Sequence, residues 1–268
     1  MNIIVCIKQV PDMAPLMMDS QDHTLVRDGI PGRMNPYDGS ALAAALRIRS
    51  LFPDTHVVAL SMAPPQAENT LRQALALGAD GAYLITDPAF RGSDAIATSR
   101  ILQSAISQVE LLEEMKFDAV FCGGQSIDGG SATVGPALAQ RLSFPQVTGA
   151  LEVVNADGTL CVLTTGEEGC RLMGVKTPCL ITFASASHGL PTPTRQQEES
   201  ACRANLVHLT AAQLPDLDLR RVGLEGSATQ VKGITPTPPA GRAVVIREKT
   251  GQAAAQKLFG LLRESGVL

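Results

Sequence analysis

A glycine-rich stretch at positions 123–136, GGQSIDGGSATVGP, combines the residue types that bind phosphate groups. Its glycines allow close backbone approach and positive φ angles. The hydroxyls of Ser131 and Thr133 can donate hydrogen bonds, and the first turn of a following helix offers unpaired N–H groups and a positive dipole end. The stretch therefore predicts an anion site at a helix N-terminus. Glycine-rich turns between strand and helix also occur without a ligand, so the loop alone leaves both readings open.

Other chemistry finds less support in the sequence. No lysine follows the loop as in a P-loop, and no G-x-G-x-x-G opens the first helix, which disfavours nucleotide hydrolysis and ordinary dinucleotide dehydrogenation. The four histidines lack metal-site spacing, and Ser126 and Ser131 have no evident histidine partner. We therefore expect neither a metal site nor catalytic residues. The six cysteines form no C-x-x-C pair and are expected to be free thiols in a reducing cytosol.

The charge and composition exclude two classes of partner. The chain of 268 residues carries a net charge of -4, and it has two Tyr and no Trp, which disfavours nucleic acid binding. No apolar run approaches the ~20 residues that span a bilayer. We expect a cytoplasmic protein with no nucleic acid partner and no membrane insertion.

Strand and helix patterns alternate in the first half of the chain. Apolar runs at 3–7, 56–62, 82–85 and 118–122 predict buried strands, and helical patterns begin at Pro36, at Glu68, near Ser93 and at Ser131. Asn35 fits the N-cap of the first helix, and Gly78 fits the end of the second. This alternation predicts an open, mainly parallel sheet with helices on both faces. Strand-like segments between 151 and 183 extend that sheet or form an antiparallel appendage. Beyond Phe183 no further sheet strand is expected, and a last helix is predicted at 252–263.

The carboxyl ends of the predicted strands locate the site. In an open parallel sheet, ligands bind beyond these ends, where the strand order switches. Segments 8–12, 61–65 and 123–135 follow strand ends in this way. The glycine-rich loop is the third of them.

Four segments in a fixed order resemble the beta subunit of electron transfer flavoproteins. They are VCIKQVPD at 5–12, MNPYD at 34–38, LRQALALGAD at 71–80, and GQSIDGG leading to VGP at 124–136, with PQVT at 145–148 just after. The similarity is collinear over about the first 185 residues. It implies a Rossmann-like fold and a heterodimer with an alpha subunit that carries the redox-active FAD. Such heterodimers shuttle electrons between a flavin-dependent dehydrogenase and a downstream acceptor.

The resemblance also implies a nucleotide on this chain, either AMP or, in the electron-bifurcating class, a second FAD. Asp128-Gly129 followed by Val134-Gly135-Pro136 is more similar to the bifurcating pattern, although Gly130 replaces an acidic residue there. A helix N-terminus suits a monophosphate and a pyrophosphate equally, so AMP and FAD both remain open. Met62 departs from the cysteine common in AMP-binding relatives. The implied nucleotide contacts are Ile7, Lys8, Gln9, Asn35, Ser61, Met62, Gln125, Gly129, Gly130, Ser131, Ala132, Thr133 and Val134.

The same resemblance divides the chain. Residues 1–222 would form the nucleotide-binding α/β domain, with a partner-docking loop at 183–202, and residues 223–268 a C-terminal arm with a terminal helix contacting the alpha subunit. The family's Pro-Arg-x-Pro in the docking loop is not matched. The main alternative is a homodimeric adenine-nucleotide-binding module of the universal-stress type with no redox role. That alternative does not predict the long extension past Phe183. An adenylating enzyme of the same fold group would need a different loop after the first strand.

Overall fold

The strands and helices of the first half follow the predicted alternation. The computed structural model describes residues 1–12, 31–156, 158–166, 169–184, 189–214, 216–231 and 244–268. The strands are β1 (Asn2–Cys6), β2 (Gln9–Pro11), β3 (Gly32–Met34), β4 (His56–Met62), β5 (Gly81–Ile85) and β6 (Ala119–Gly123). The helices are α1 (Pro36–Leu51), α2 (Glu68–Leu77), α3 (Ala95–Leu112) and α4 (Val134–Leu142). The predicted α/β class is confirmed.

The second half extends the same sheet. It contains β7 (Gln146–Ala156), β8 (Thr159–Gly166), β9 (Gly169–Lys176), β10 (Cys179–Phe183), α5 (Arg195–Arg203), β11 (Val207–Leu209), α6 (Gly223–Gly226) and α7 (Gly251–Glu264). Strands β7 to β9 form an antiparallel meander, whereas β10 lies parallel to both β6 and β7.

The expectation that the sheet ends at Phe183 was wrong. After Phe183 the chain adds α5 and then β11, which pairs in parallel with β5 at the opposite edge of the sheet. Strand β11 has only three residues, and its pattern is partly exposed. Its hydrogen bonds to β5 stabilise it, and a run this short gives no clear periodicity in the sequence.

The strand order is β11-β5-β4-β1-β6-β10-β7-β8-β9. From β1 the chain moves through β4 to β5 on one side and then returns to place β6 on the other side of β1. Leu42 and Leu71 pack with the core on one face of the sheet, and Ile101 and Leu138 pack with the core on the other. Helices α1 and α2 therefore cover one face, and α3 and α4 cover the second. The order switches between β1 and β6, where an open α/β sheet binds its ligands.

The helix ends agree in part with the sequence. Pro36 is the first residue of α1, and Gly78 ends α2 with a φ of 117°, as predicted. Asn35 is the residue before α1, yet its side chain makes no capping hydrogen bond. Helix α4 begins at Val134 instead of Ser131, because Gly130 and Ala132 both adopt positive φ angles that a helix does not allow.

The chain divides into two compact units, Met1–Lys232 and Gly233–Leu268. In the second unit, the Thr250 side chain accepts from the Ala253 N–H and caps α7, which spans the predicted terminal helix. That this segment contacts a partner subunit stays a prediction. Among the described residues, no helix is both long and apolar enough to cross a lipid bilayer.

Candidate functional site

A buried carboxylate joins the two strands at the switch in strand order. Asp38, in the first turn of α1, is 6% exposed. Its Oδ2 accepts from the Lys8 N–H at 2.7 Å, and its Oδ1 accepts from the Gly123 N–H at 3.0 Å. Lys8 follows β1 by two residues, and Gly123 is the last residue of β6. Asp38 thus ties the start of α1 to both strands that flank the predicted ligand position.

Only glycine fits at position 123. A Cβ there would meet the Asp38 carboxylate, and it would lie 2.7 Å from Tyr37 Cβ and 2.9 Å from the Asp38 backbone nitrogen. Such distances are far below van der Waals contact. The close approach of β6 to α1 depends on the missing side chain, so this glycine serves the framework of the site.

Polar side chains fix the loop after β6 against α1. The Asn35 Nδ2 donates to the Gln125 carbonyl at 2.8 Å, and the Asn35 Oδ1 accepts from the Ile127 N–H at 3.3 Å. The Gln125 Nε2 donates to the Tyr37 Oη at 2.8 Å. Asn35 is buried and uses its amide on the loop instead of capping its own helix. Two of the predicted site residues therefore meet directly.

Lys8 and Asp128 form an ion pair across the same loop. The Lys8 Nζ lies 2.7 Å from Asp128 Oδ1 and 3.3 Å from Ser126 Oγ, and the Asp128 side chain is only 1% exposed. Asp128 therefore fixes the loop to Lys8, and it does not cap α4, which Thr133 precedes. The pair largely offsets the charge of Lys8, so any anion nearby must rely on other donors.

The end of the loop provides those donors. Gly130 has a φ of +63°, and a Cβ on it would meet nothing within 4 Å. Residues 131–133 are exposed. Within the described part of the chain, the N–H groups of residues 131–135 have no recorded acceptor. A row of free N–H groups at the start of a nine-residue helix can bind an anion.

The remaining predicted residues lie beside this loop at the carboxyl ends of β1 and β4. The Ile7 N–H donates to the Leu60 carbonyl at 2.8 Å, which places Ile7 against β4. Ser61 and Met62 end β4, and Gln9 begins β2. Ser61 is fully buried, and its Oγ has no partner among the described residues. A buried hydroxyl without a partner is uncommon and marks a position where a ligand could supply one. That all thirteen residues contact a nucleotide stays a prediction.

Two buried thiols lie beside the site. Cys6 on β1 and Cys122 on β6 are directly opposite in the parallel pairing and both are buried. The hydrogen bond with Cys6, followed by burial, raises the pKa of Cys122 well above its ordinary value. The thiol therefore stays protonated at neutral pH and unreactive. The described cysteines are all free, as predicted, and the described residues contain no His/Cys/Asp/Glu group suited to a metal ion.

The protonation of Asp38 is expected to make stability fall as the pH rises. Burial raises the pKa of Asp38 from 3.8 to about 7, against the opposing effect of its hydrogen bonds. Between these values the folded chain holds a proton that the unfolded chain has released, so the contribution of Asp38 is largest below pH 3.8 and is lost as the pH passes about 7. Urea unfolding should show the stability advantage of the wild type over Asp38→Asn shrinking by about 3 kcal/mol from pH 5 to pH 8. An advantage that does not change with pH contradicts the assignment.

The sequence did not identify Asp38 and Tyr37 as site residues. A carboxylate in a first helical turn is typical of exposed helix starts, where it favours the helix dipole. Its burial against two strand ends depends on the packing of α1 on the sheet. The one available signal was the close run of Asn35, Pro36 and Asp38, which is equally typical of an exposed helix start and of a buried one.

Known proteins are similar to this chain over nearly its whole length. The sequence model of the electron transfer flavoprotein domain matches residues 22–214. The electron transfer flavoprotein subunit beta of Clostridium acetobutylicum is 41% identical over 267 residues, which cover 98% of this chain and 99% of that protein. Protein FixA of Sinorhizobium fredii is 39% identical, covering 96% and 92%. The caffeyl-CoA reductase-Etf complex subunit CarD of Acetobacterium woodii is 37% identical over the full length of both chains.

These similarities confirm the resemblance that the glycine-rich loop and the three earlier segments indicated. Nothing among them supports the universal-stress alternative. The matched residues include α1, the loop after β6 and α4, whereas Ile7, Lys8 and Gln9 precede the matched range. The chain belongs to the electron transfer flavoprotein family and is an electron-transfer subunit of the beta type.

Proposed function

We propose that this chain holds an adenine nucleotide, either AMP or the ADP part of a second FAD, beyond the carboxyl ends of β1, β4 and β6. The observation that carries the proposal is the row of free N–H groups at residues 131–135, beside the open position at Gly130. The phosphate group would bind these amides and the positive end of α4. Because Lys8 is paired with Asp128, the backbone supplies most of the attraction.

The side chains around the loop would position the nucleotide. Asn35, Gln125 and Lys8 hold the loop in place through the contacts described above. Ser61 has a buried hydroxyl without a partner and would accept or donate one hydrogen bond to the ribose or the base. The proposed contacts are Ile7, Lys8, Gln9, Asn35, Ser61, Met62, Gln125, Gly129, Gly130, Ser131, Ala132, Thr133 and Val134.

The electron chemistry would come from flavin. FAD accepts and donates electrons when bound, and in this proposal the redox-active FAD is carried mainly by the alpha subunit. Thiol, histidine and carboxylate side chains do not carry electrons at a useful potential. This chain would therefore have no catalytic residue. Its residues would bind the nucleotide, exclude water from Asp38 and form a surface for the partner proteins.

The proposed partners are an alpha subunit and a flavin-dependent dehydrogenase, with the complex in the cytoplasm. The relative named as a subunit of a caffeyl-CoA reductase complex supports an assembly with a reductase. Residues 223–268 would contact the alpha subunit as an arm. Residues 183–202, which include most of α5, would dock the dehydrogenase.

Nucleotide analysis of the co-expressed heterodimer tests the proposal. We expect a yellow complex that releases one adenine nucleotide from the beta chain on acid treatment. One flavin and one AMP per heterodimer identify AMP at this site, and two flavins identify a second FAD. A heterodimer with one flavin and no other nucleotide contradicts the proposal. The absorbance spectrum and chromatography of the released cofactors give both counts.

A further inference from the structure

The segment at residues 189–204, which contains α5, is largely exposed and is held at its two ends. Residues 191–200 are exposed apart from Pro193, and Ala201 is the only buried residue of α5. Isolated helices shorter than about 12–15 residues are only marginally stable in water, and α5 has nine residues. The order of this segment therefore depends on the contacts at its ends.

Arg72 of α2 holds the C-terminal end of the segment. Its Nη1 donates to the carbonyl of Ala201 at 2.8 Å and to the carbonyl of Cys202 at 3.2 Å. The Glu68 Oε1 accepts from the Nε and the Nη2 of the same guanidinium group, which fixes its direction. The last carbonyls of a helix have no donor within the helix, so a cation placed there satisfies them and favours the helix dipole.

Leu190 holds the other end of the segment against the start of α1. A Cβ placed on Gly39 would lie 3.1 Å from Leu190 Cδ1 and 3.9 Å from Met34 Sδ. The leucine side chain therefore lies directly on the backbone of α1, where glycine leaves room for it. Leu190 is half-buried and packs against the core cluster that contains Met34.

The start of α1 also holds the loop after β6. The Asn35 side chain binds two backbone groups of that loop, and Asp38 accepts from the Gly123 N–H. Gly39 follows Asp38 directly in the chain. The first turns of α1 therefore contact both the loop of the proposed nucleotide site and segment 189–204. Closely packed segments transmit small displacements because few voids absorb them.

We propose that nucleotide binding at residues 123–136 stabilises segment 189–204 through Leu190 and the start of α1. The inference rests on the proposed nucleotide site and on the proposed docking role of residues 183–202. A bound phosphate would fix the loop after β6, and the loop would fix the turns of α1 on which Leu190 packs. Binding that restricts the motion of one element lowers the cost of ordering the next, which couples the two positions. The chain would then offer an ordered docking segment mainly when its nucleotide is bound.

Hydrogen exchange of the full-length chain, measured by mass spectrometry with and without saturating AMP, tests the coupling. AMP is the probe because its adenosine phosphate is also part of FAD. We expect AMP to slow the exchange of the α5 N–H groups about fivefold in the wild type, the lower end of typical couplings between sites. In Leu190→Ala this effect should disappear, because the methyl groups that contact Gly39 are removed. Since coupling is reciprocal, this variant should bind AMP at most about fivefold more weakly in calorimetry.

Leu206→Ala is the matched control. Leu206 is also half-buried against the same core cluster, but it follows α5 at the end that Arg72 holds. AMP should slow the exchange of α5 in this variant as it does in the wild type. An AMP effect on α5 that persists in Leu190→Ala overturns the proposal, and so does AMP binding that leaves α5 unchanged in the wild type. If calorimetry detects no AMP binding, the proposed nucleotide site is overturned together with the coupling.

Discussion

Replacing Gly130 by Val is expected to reduce the nucleotide retained by the purified chain at least about tenfold, while the fold persists. The Val side chain would stand in the open space beside the free N–H groups of residues 131–135, where the proposed phosphate binds. Loss of two or more charge-assisted hydrogen bonds corresponds to more than about 2 kcal/mol, or more than tenfold in affinity.

A matched glycine separates this effect from backbone strain. Gly158, in the turn between β7 and β8, has a φ of +77°, and a Cβ there also meets nothing within 4 Å. A β-branched residue at either position pays a similar cost of about 1–3 kcal/mol for its left-handed backbone. Gly158→Val should therefore lose similar stability and keep its nucleotide.

The measurement combines urea unfolding with chromatography of the acid-released nucleotide for both variants. Equal stability losses with nucleotide missing only from Gly130→Val support the site. If both variants retain nucleotide, the phosphate position is wrong. If both lose it, strain rather than obstruction explains the loss, and the loop is not the phosphate site.

Replacing Asp38 by Asn is expected to destabilise the chain by about 2 kcal/mol at pH 8, where most of Asp38 is ionised. The two carboxylate oxygens accept from the N–H groups of Lys8 and Gly123, and an amide offers only one acceptor. Its NH2 group would face one of these donors, leaving a buried N–H without a partner, which costs about 1–3 kcal/mol. Because both N–H groups lie at the ends of β1 and β6, the loop after β6 should also loosen.

Urea unfolding at pH 8 gives the change in the free energy of unfolding, and the release of nucleotide reports the loosening of the loop. Asp218→Asn is the control, because Asp218 pairs with Arg220 on the exposed surface, and its unfolding midpoint should match the wild type. An Asp38→Asn variant as stable as that control would show that the carboxylate does not hold the strands together.

The sequence identified most of the elements that build the site. Strand β4 has the predicted bounds, Pro36 begins α1, and Gly78 ends α2. These features follow from local rules: apolar runs, proline at a first helical position, and glycine with a positive φ. The order of strands and helices then placed segments 8–12, 61–65 and 123–135 at the carboxyl ends of strands in one parallel sheet, as the structure has them.

Contacts between residues far apart in the sequence produce the features that were not predicted. Asn35 looked like a helix cap, yet its amide binds Gln125 and Ile127, which are about 90 residues away along the chain. Strand β11 is too short to show a period and exists because β5 offers it hydrogen bonds.

The glycine-rich loop combines a feature that the sequence predicted with one that only the folded chain shows. Its glycines and hydroxyls, together with the strand before it and the helix after it, predicted an anion site at a helix N-terminus. The packing decided which donors already have a partner. Lys8 is paired with Asp128, and the Gly123 N–H donates to Asp38. Among the described residues, the N–H groups of residues 131–135 have no recorded acceptor. Residue types fix which hydrogen bonds are possible, but only the folded chain determines which partners are already used.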